Sequence, residues 1–170
     1  MVFESEEEFA LRSGAIVERI SRAMAEKGRT AAVAESLTGG LISSEIVRVP
    51  GVSAWFTEGI VTYTDAAKTR RLDVSEELLA EHTAVSAEAA KAMAEGALRF
   101  SGAGAAVSAT GIAGPGPDEL GREAGLVFIG GATERGCVSR ELKLSGSRLD
   151  IRRSAAYEAL KLLLALAEGL

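Results

Sequence analysis

Three short apolar runs each stop at a cluster of small, polar or glycine residues, and helical stretches separate one run from the next. Thr30-Ala-Ala-Val-Ala-Glu35 leads into Ser36-Leu-Thr-Gly-Gly40. Residues 57–64 carry Ile60, Val61 and Tyr63 and lead through Thr64-Asp-Ala-Ala to Lys68. Ala105-Ala-Val-Ser-Ala-Thr110 leads into Gly111-Ile-Ala-Gly-Pro-Gly-Pro117. Strands joined through helices imply parallel crossovers. Such sheets bind ligands outside the carboxyl ends of their strands. If the three strands are neighbours, their three tails meet in one cleft.

The remaining segments complete the pattern. Ser5 with Glu8 has the form of a capping box. Phe9, Ile16, Val17, Ile20 and Met24 then recur at helical spacing up to Gly28, so a helix is predicted over about 5–27. A helix over about 39–48 ends at Pro50-Gly51, and Asp65 is expected to cap a short helix holding Lys68, Arg70 and Arg71. Ser75 and Ser86 open two more helices. Residues 125–132 and 137–144 read as a hairpin, and a last helix runs over about 147–167. The expected fold is a three-layer α/β/α sandwich with a mixed, mostly parallel sheet of about five strands, forming a single domain over 1–170.

Composition removes whole classes of chemistry. One His (His82) and one Cys (Cys137) cannot build a His/Cys zinc cluster or an internal disulfide, so no metal and no cofactor is expected. With 19 basic and 24 acidic residues the net charge is −5, which gives no support for nucleic-acid binding. The acidic N-terminus lacks the features of a signal peptide. The apolar stretch 160–166 is too short to cross a bilayer, so no membrane partner and a cytoplasmic location are expected.

Ser36 stands where a nucleophile or phosphate contact would be placed, before the free N–H groups of a helix start. The alternative is a plain helix start, with Ser36 or Thr38 capping and Gly39 and Gly40 allowing close packing. Gly39-Gly40 is followed by Leu-Ile, so this is not a P-loop. A nucleophilic Ser needs a base. His82 sits at a predicted helix end, where a capping or surface role suffices. Lys68 is the better candidate, although an ordinary Lys is neutral only about once in 2,500 molecules at pH 7. Its site would have to disfavour the ammonium, with Arg70 and Arg71 helping and Asp65 opposing. Tyr63 is either a relay hydroxyl or an ordinary strand aromatic. Thr110, before Gly111, either donates to a substrate or caps its turn. Arg148, in Ser145-Gly-Ser-Arg148, suits a phosphate or carboxylate, or else joins Arg152 and Arg153 in a solvated basic face. Trp55-Phe56 would serve as core, cleft wall or oligomer contact.

Taken in order, six segments resemble the CinA C-terminal domain family over about residues 8–168. They are 34–40 (Ala-Glu-Ser-Leu-Thr-Gly-Gly), 49–56 (Val-Pro-Gly-Val-Ser-Ala-Trp-Phe), 59–68 (Gly-Ile-Val-Thr-Tyr-Thr-Asp-Ala-Ala-Lys), 81–86 (Glu-His-Thr-Ala-Val-Ser), 109–115 (Ala-Thr-Gly-Ile-Ala-Gly-Pro) and 145–148 (Ser-Gly-Ser-Arg). The resemblance implies an amidohydrolase that converts nicotinamide mononucleotide into nicotinic acid mononucleotide and ammonia. Ser36 would be the nucleophile, Lys68 its base and Tyr63 an aligning or relay group. Thr38, Gly39, Gly40, Thr110, Gly111 and Arg148 would bind substrate, and backbone N–H groups around Leu37 to Gly39 would hold the oxyanion. A small-molecule pyridine nucleotide and a second copy of the chain are the expected partners. The second reading is a non-catalytic nucleotide-binding or interaction module. The sequence departs from the family pattern at Leu37 (commonly Cys), at Ser147 (commonly Asp) and over 116–125, where Arg122 is the candidate substitute for a family Lys. The larger N-terminal domain of some family members is not seen here, so a stand-alone domain is expected.

Overall fold

The computed structural model describes residues 3–169; Met1, Val2 and Leu170, at the ends of the expected domain, lie outside the described residues. The elements follow as α1 (Glu6–Lys27), β1 (Ala31–Glu35), α2 (Leu41–Val47), a 3-10 turn (Val52–Ala54), β2 (Phe56–Val61), α3 (Asp65–Leu72), α4 (Glu76–His82), α5 (Ala87–Ser101), β3 (Ala105–Gly111), β4 (Leu126–Thr133), β5 (Gly136–Lys143) and α6 (Arg148–Glu168). One five-stranded sheet has the order β2-β1-β3-β4-β5. β1 pairs in parallel with both β2 and β3, β4 is antiparallel to both its neighbours, and β5 therefore regains the direction of β3.

The sheet is covered on both faces because its central strands are apolar on both. Ala31, Val33, Ala105, Val107 and Ala109 join a core with α1, α2 and α6. Ala32, Ala34 and Ala106 face a second core with residues of α3, α4 and α5. Period-two alternation thus splits one strand between two cores. β1 passes to β2 through α2 on one face, and β2 passes to β3 through α3, α4 and α5 on the other. The carboxyl ends of β1, β2 and β3 therefore lie side by side, with Glu35 in register with Val61 on one flank and Ala109 on the other.

Local details refine the sequence reading. Ser5 caps α1 by accepting from Glu8 N–H, but the Glu8 carboxylate accepts from Glu4 N–H, so among the described residues the reciprocal half of the expected box is not formed. The full capping box lies at Ser147 and Asp150, opening α6. Thr64, and not Asp65, is the cap of α3; its hydroxyl accepts from Ala67 N–H. Trp55 is core, and its indole N–H donates to Ser21 Oγ at 2.9 Å. Val52 is also buried, whereas Ser53 and Ala54 are exposed and Phe56 is half-buried. Among the described residues, no helix is long and apolar enough to cross a membrane.

Candidate functional site

A cleft of about 800 Å³ opens over the carboxyl ends of β1, β2 and β3. Ser36, Tyr63, Lys68, Thr110, Gly111 and Arg148 line it, drawn from five segments of the chain. Thr38, Gly39 and Gly40 are not among its lining residues: the Thr38 side chain is buried, Gly40 is half-buried and Gly39 is exposed. His82, at the end of α4 beside Glu81, and Cys137, on β5, also lie outside the lining.

The Ser36 turn is held from below by a residue whose role the sequence reading missed. Glu35 is fully buried and accepts from Gly40 N–H, Ile42 N–H, Ser43 N–H and Ser43 Oγ at 2.7–3.0 Å. Its carboxylate thus occupies the amino end of α2, where the orphan donors of a helix start gather. The signal was a charged residue closing an otherwise apolar strand. The expectation that these N–H groups greet a ligand is corrected accordingly. Gly39 N–H is taken as well, by Ser36 O at 3.1 Å. Among the described residues, the N–H groups of Leu37 and Thr38 donate to no protein acceptor. Gly39 and Gly40 make the turn possible with φ of 61° and 95°.

Lys68 lies on the inner face of α3 with only 1% of its surface exposed. Its Nζ is 3.4 Å from Ser36 Oγ and 3.7 Å from Asp65 Oδ1. Burial pushes the amine below the usual lysine range, against the opposing pull of Asp65. Arg70 and Arg71, expected to help, lie along a separate groove with Glu58 and Phe100, and the lowering comes from burial.

Tyr63 is 60% exposed at the mouth of the cleft. Its hydroxyl accepts from Arg148 Nη2 at 3.2 Å and makes no hydrogen bond to Ser36 or Lys68. Arg148 also donates to Gly114 O, so the guanidinium ties the β2 tail to the loop after β3. Asp150 accepts from Ser147 N–H and Oγ and closes the turn that opens α6. Thr110 Oγ1 donates to Ala84 O at 2.6 Å, so its hydroxyl proton is already engaged. Gly111 is required by packing: a Cβ there would fall 2.7 Å from Leu126 O and Val127 Cα.

The far wall is the loop 112–125. Arg122 Nε donates to Asp118 Oδ2 at 2.8 Å, and Nη1 donates to Thr83 Oγ1 and Val85 O at 2.8 and 2.9 Å. Arg122 is thus a strap between the loop and the α4–α5 connection, its donors turned to protein acceptors. The Arg122 bonds hold the Asp118 carboxyl below the usual range. Thr83 sits at φ 66°, a costly conformation for a β-branched residue that this contact helps to hold.

A three-layer α/β sheet with a buried Ser–Lys pair at the ends of its parallel strands defines the class of protein. The chain belongs to the CinA C-terminal domain family, whose profile matches residues 14–167. A CinA-like protein of Geobacter metallireducens is 45% identical over 141 residues, covering 83% of this chain and 34% of the relative. The competence/damage inducible protein CihA from Agrobacterium tumefaciens superposes with a TM-score of 0.87 at 37% identity, covering 91% of this chain and 95% of that one. A CinA superfamily protein from Klebsiella pneumoniae gives 0.88 at 28% identity, covering 93% and 99%. The chain spans 32–38% of the length of the first curated relatives it matches.

Proposed function

We propose that the chain is a nicotinamide mononucleotide deamidase working through Ser36 and Lys68. The observation that carries the reading is the buried Lys68 amine 3.4 Å from a serine at a strand tip, inside an open cleft. That contact is long, as catalytic contacts often are before substrate tightens them. The neutral Lys68 amine takes the Ser36 proton as Oγ attacks the carboxamide carbon. The carbonyl oxygen becomes an oxyanion facing the unengaged N–H groups of Leu37 and Thr38. The C–N bond breaks, Lys68 returns the proton, and ammonia leaves. A water molecule, deprotonated by Lys68, then cleaves the acyl-serine to nicotinic acid mononucleotide and frees Ser36. Arg148 and Tyr63, at the mouth, suit the phosphate of the nucleotide.

The test is ammonia release from nicotinamide mononucleotide by the wild type, Ser36→Ala and Lys68→Ala proteins. Release by the wild type alone is the expected result. Equal rates in wild type and Ser36→Ala would end the nucleophile assignment. No release by wild type at high enzyme concentration, with nucleotide still bound, would establish the binding-module reading in its place.

A further inference from the structure

α6 meets the Ser36 turn from the face of the sheet opposite Lys68: α6 packs in the core with α1 and α2, whereas Leu72 of α3 packs in the other. From α6, Arg152 Nε donates to Leu37 O at 3.0 Å and Nη2 donates to Thr38 O at 2.7 Å. One planar guanidinium thus fixes two consecutive peptide carbonyls immediately after the nucleophile. Arg153, its neighbour, pairs with Glu6, but among the described residues Arg152 has no carboxylate partner. Its charge is spent on the two carbonyls.

A trans peptide is planar, so the direction of a carbonyl fixes that of the following N–H. With Leu37 O turned to Arg152, Thr38 N–H points the other way. Glu35 has claimed the donors of Gly40, Ile42 and Ser43, and Ser36 O that of Gly39. Among the described residues of the turn, the N–H groups left without a protein acceptor are those of Leu37 and Thr38, the two that follow Ser36.

We propose that Arg152 is a positioning residue that locks the Leu37–Thr38 peptide with its N–H as an oxyanion donor. By charging the carbonyl side of that peptide, it also strengthens the N–H as a donor. The proposal rests on the acyl-transfer reading above and adds to it a part that acts through the backbone, touching no substrate.

The experiment compares wild type, Arg152→Ala and Arg152→Lys in steady-state deamidation of nicotinamide mononucleotide, with Tm measured for each. Removing an oxyanion donor outright costs about 10²–10³ in kcat; loosening one is expected to cost about 10–100-fold, with KM within about twofold of wild type. Arg152→Lys, able to charge but not to fork both carbonyls, is expected to recover part of the loss. Guanidinium chloride at low millimolar concentration is expected to raise the rate of Arg152→Ala and not that of wild type. An unchanged kcat, a loss confined to KM, or a folded Arg152→Ala that neither Lys nor guanidinium improves would overturn the proposal. If Arg152→Ala fails to fold, a kcat for Arg152→Lys equal to wild type overturns it equally. A wild type without ammonia release would remove the acyl-transfer reading itself, and this shows before any Arg152 variant is measured.

Discussion

The two central parallel strands end in opposite ways. After β1 the chain turns sharply into α2 within five residues, gripped by Glu35 from beneath and Arg152 from the side. After β3 it wanders through residues 112–125 before pairing again, tied mainly by the Asp118–Arg122 strap to Thr83 and Val85. The first wall is fixed by a fully buried carboxylate and a part-buried guanidinium, and carries the serine proposed to react. The second is fixed by a part-buried Arg–Asp pair, and on the same reading shapes what enters. Preorganisation is needed where charge develops in a transition state, and a recognition loop tolerates more give.

Substitutions in the two walls should separate these roles. The largest effect belongs to Ser36 and Lys68, the pair proposed to react. Ser36→Ala and Lys68→Met should each lower kcat by about 10³-fold or more in an ammonia assay. Lys68→Met should at the same time raise Tm by a few degrees, about 2–6 °C, because it relieves a buried amine. A fall in Tm would mean that the burial cost is already compensated.

Next comes the floor of the turn. Glu35→Gln places an amide NH2 against the donors of Gly40, Ile42 and Ser43, and should cost about 2 kcal/mol or more in denaturant unfolding. In the opposite wall, Arg122→Ala should cost less stability than Glu35→Gln, since the Arg122–Asp118 pair keeps more contact with solvent than the fully buried Glu35. It should act instead on recognition, raising KM about 2–10-fold with kcat nearly unchanged. If Arg122→Ala instead lowered kcat as much as a lesion in the Ser36 turn, the contrast between the walls would collapse.

The smallest effect is a pH dependence. Burial holds the folded Lys68 below the ordinary lysine range, so its base form is populated at lower pH than in an exposed lysine. The limb on which kcat/KM rises with pH should therefore have its midpoint below about 10.4. For stability the sign follows from proton counting. Between the folded pKa and about 10.4 the unfolded chain binds the extra proton, so this lysine makes unfolding harder as pH rises. The Tm advantage of Lys68→Met should shrink across that window and persist below it.

The strands and helices were legible because their signals are local. Apolar runs bounded by glycine, caps such as Ser86 and Ser147, and Gly28 closing α1 each act within a few residues. Ser36 and Lys68 were legible as candidates for the same reason: each follows a strand end closely. Roles carried by distant partners were not. Arg152, which reads as part of a solvated face, bonds carbonyls 114 and 115 residues away. Arg122, read as a substitute for a family lysine, finds its acceptors 37 and 39 residues back. Trp55 offered three readings until packing chose the core.

The sequence by itself determined the order of elements and the strand-end position of Ser36, and it marked Lys68 as a better candidate base than its one His. Only the tertiary structure decided that Lys68 is buried against Ser36, 32 residues away. It alone made Glu35 the floor of the turn and left the N–H groups of Leu37 and Thr38 unengaged. The reason is physical: propensity and capping are short-range, whereas desolvation and hydrogen-bond supply belong to whatever the fold packs alongside.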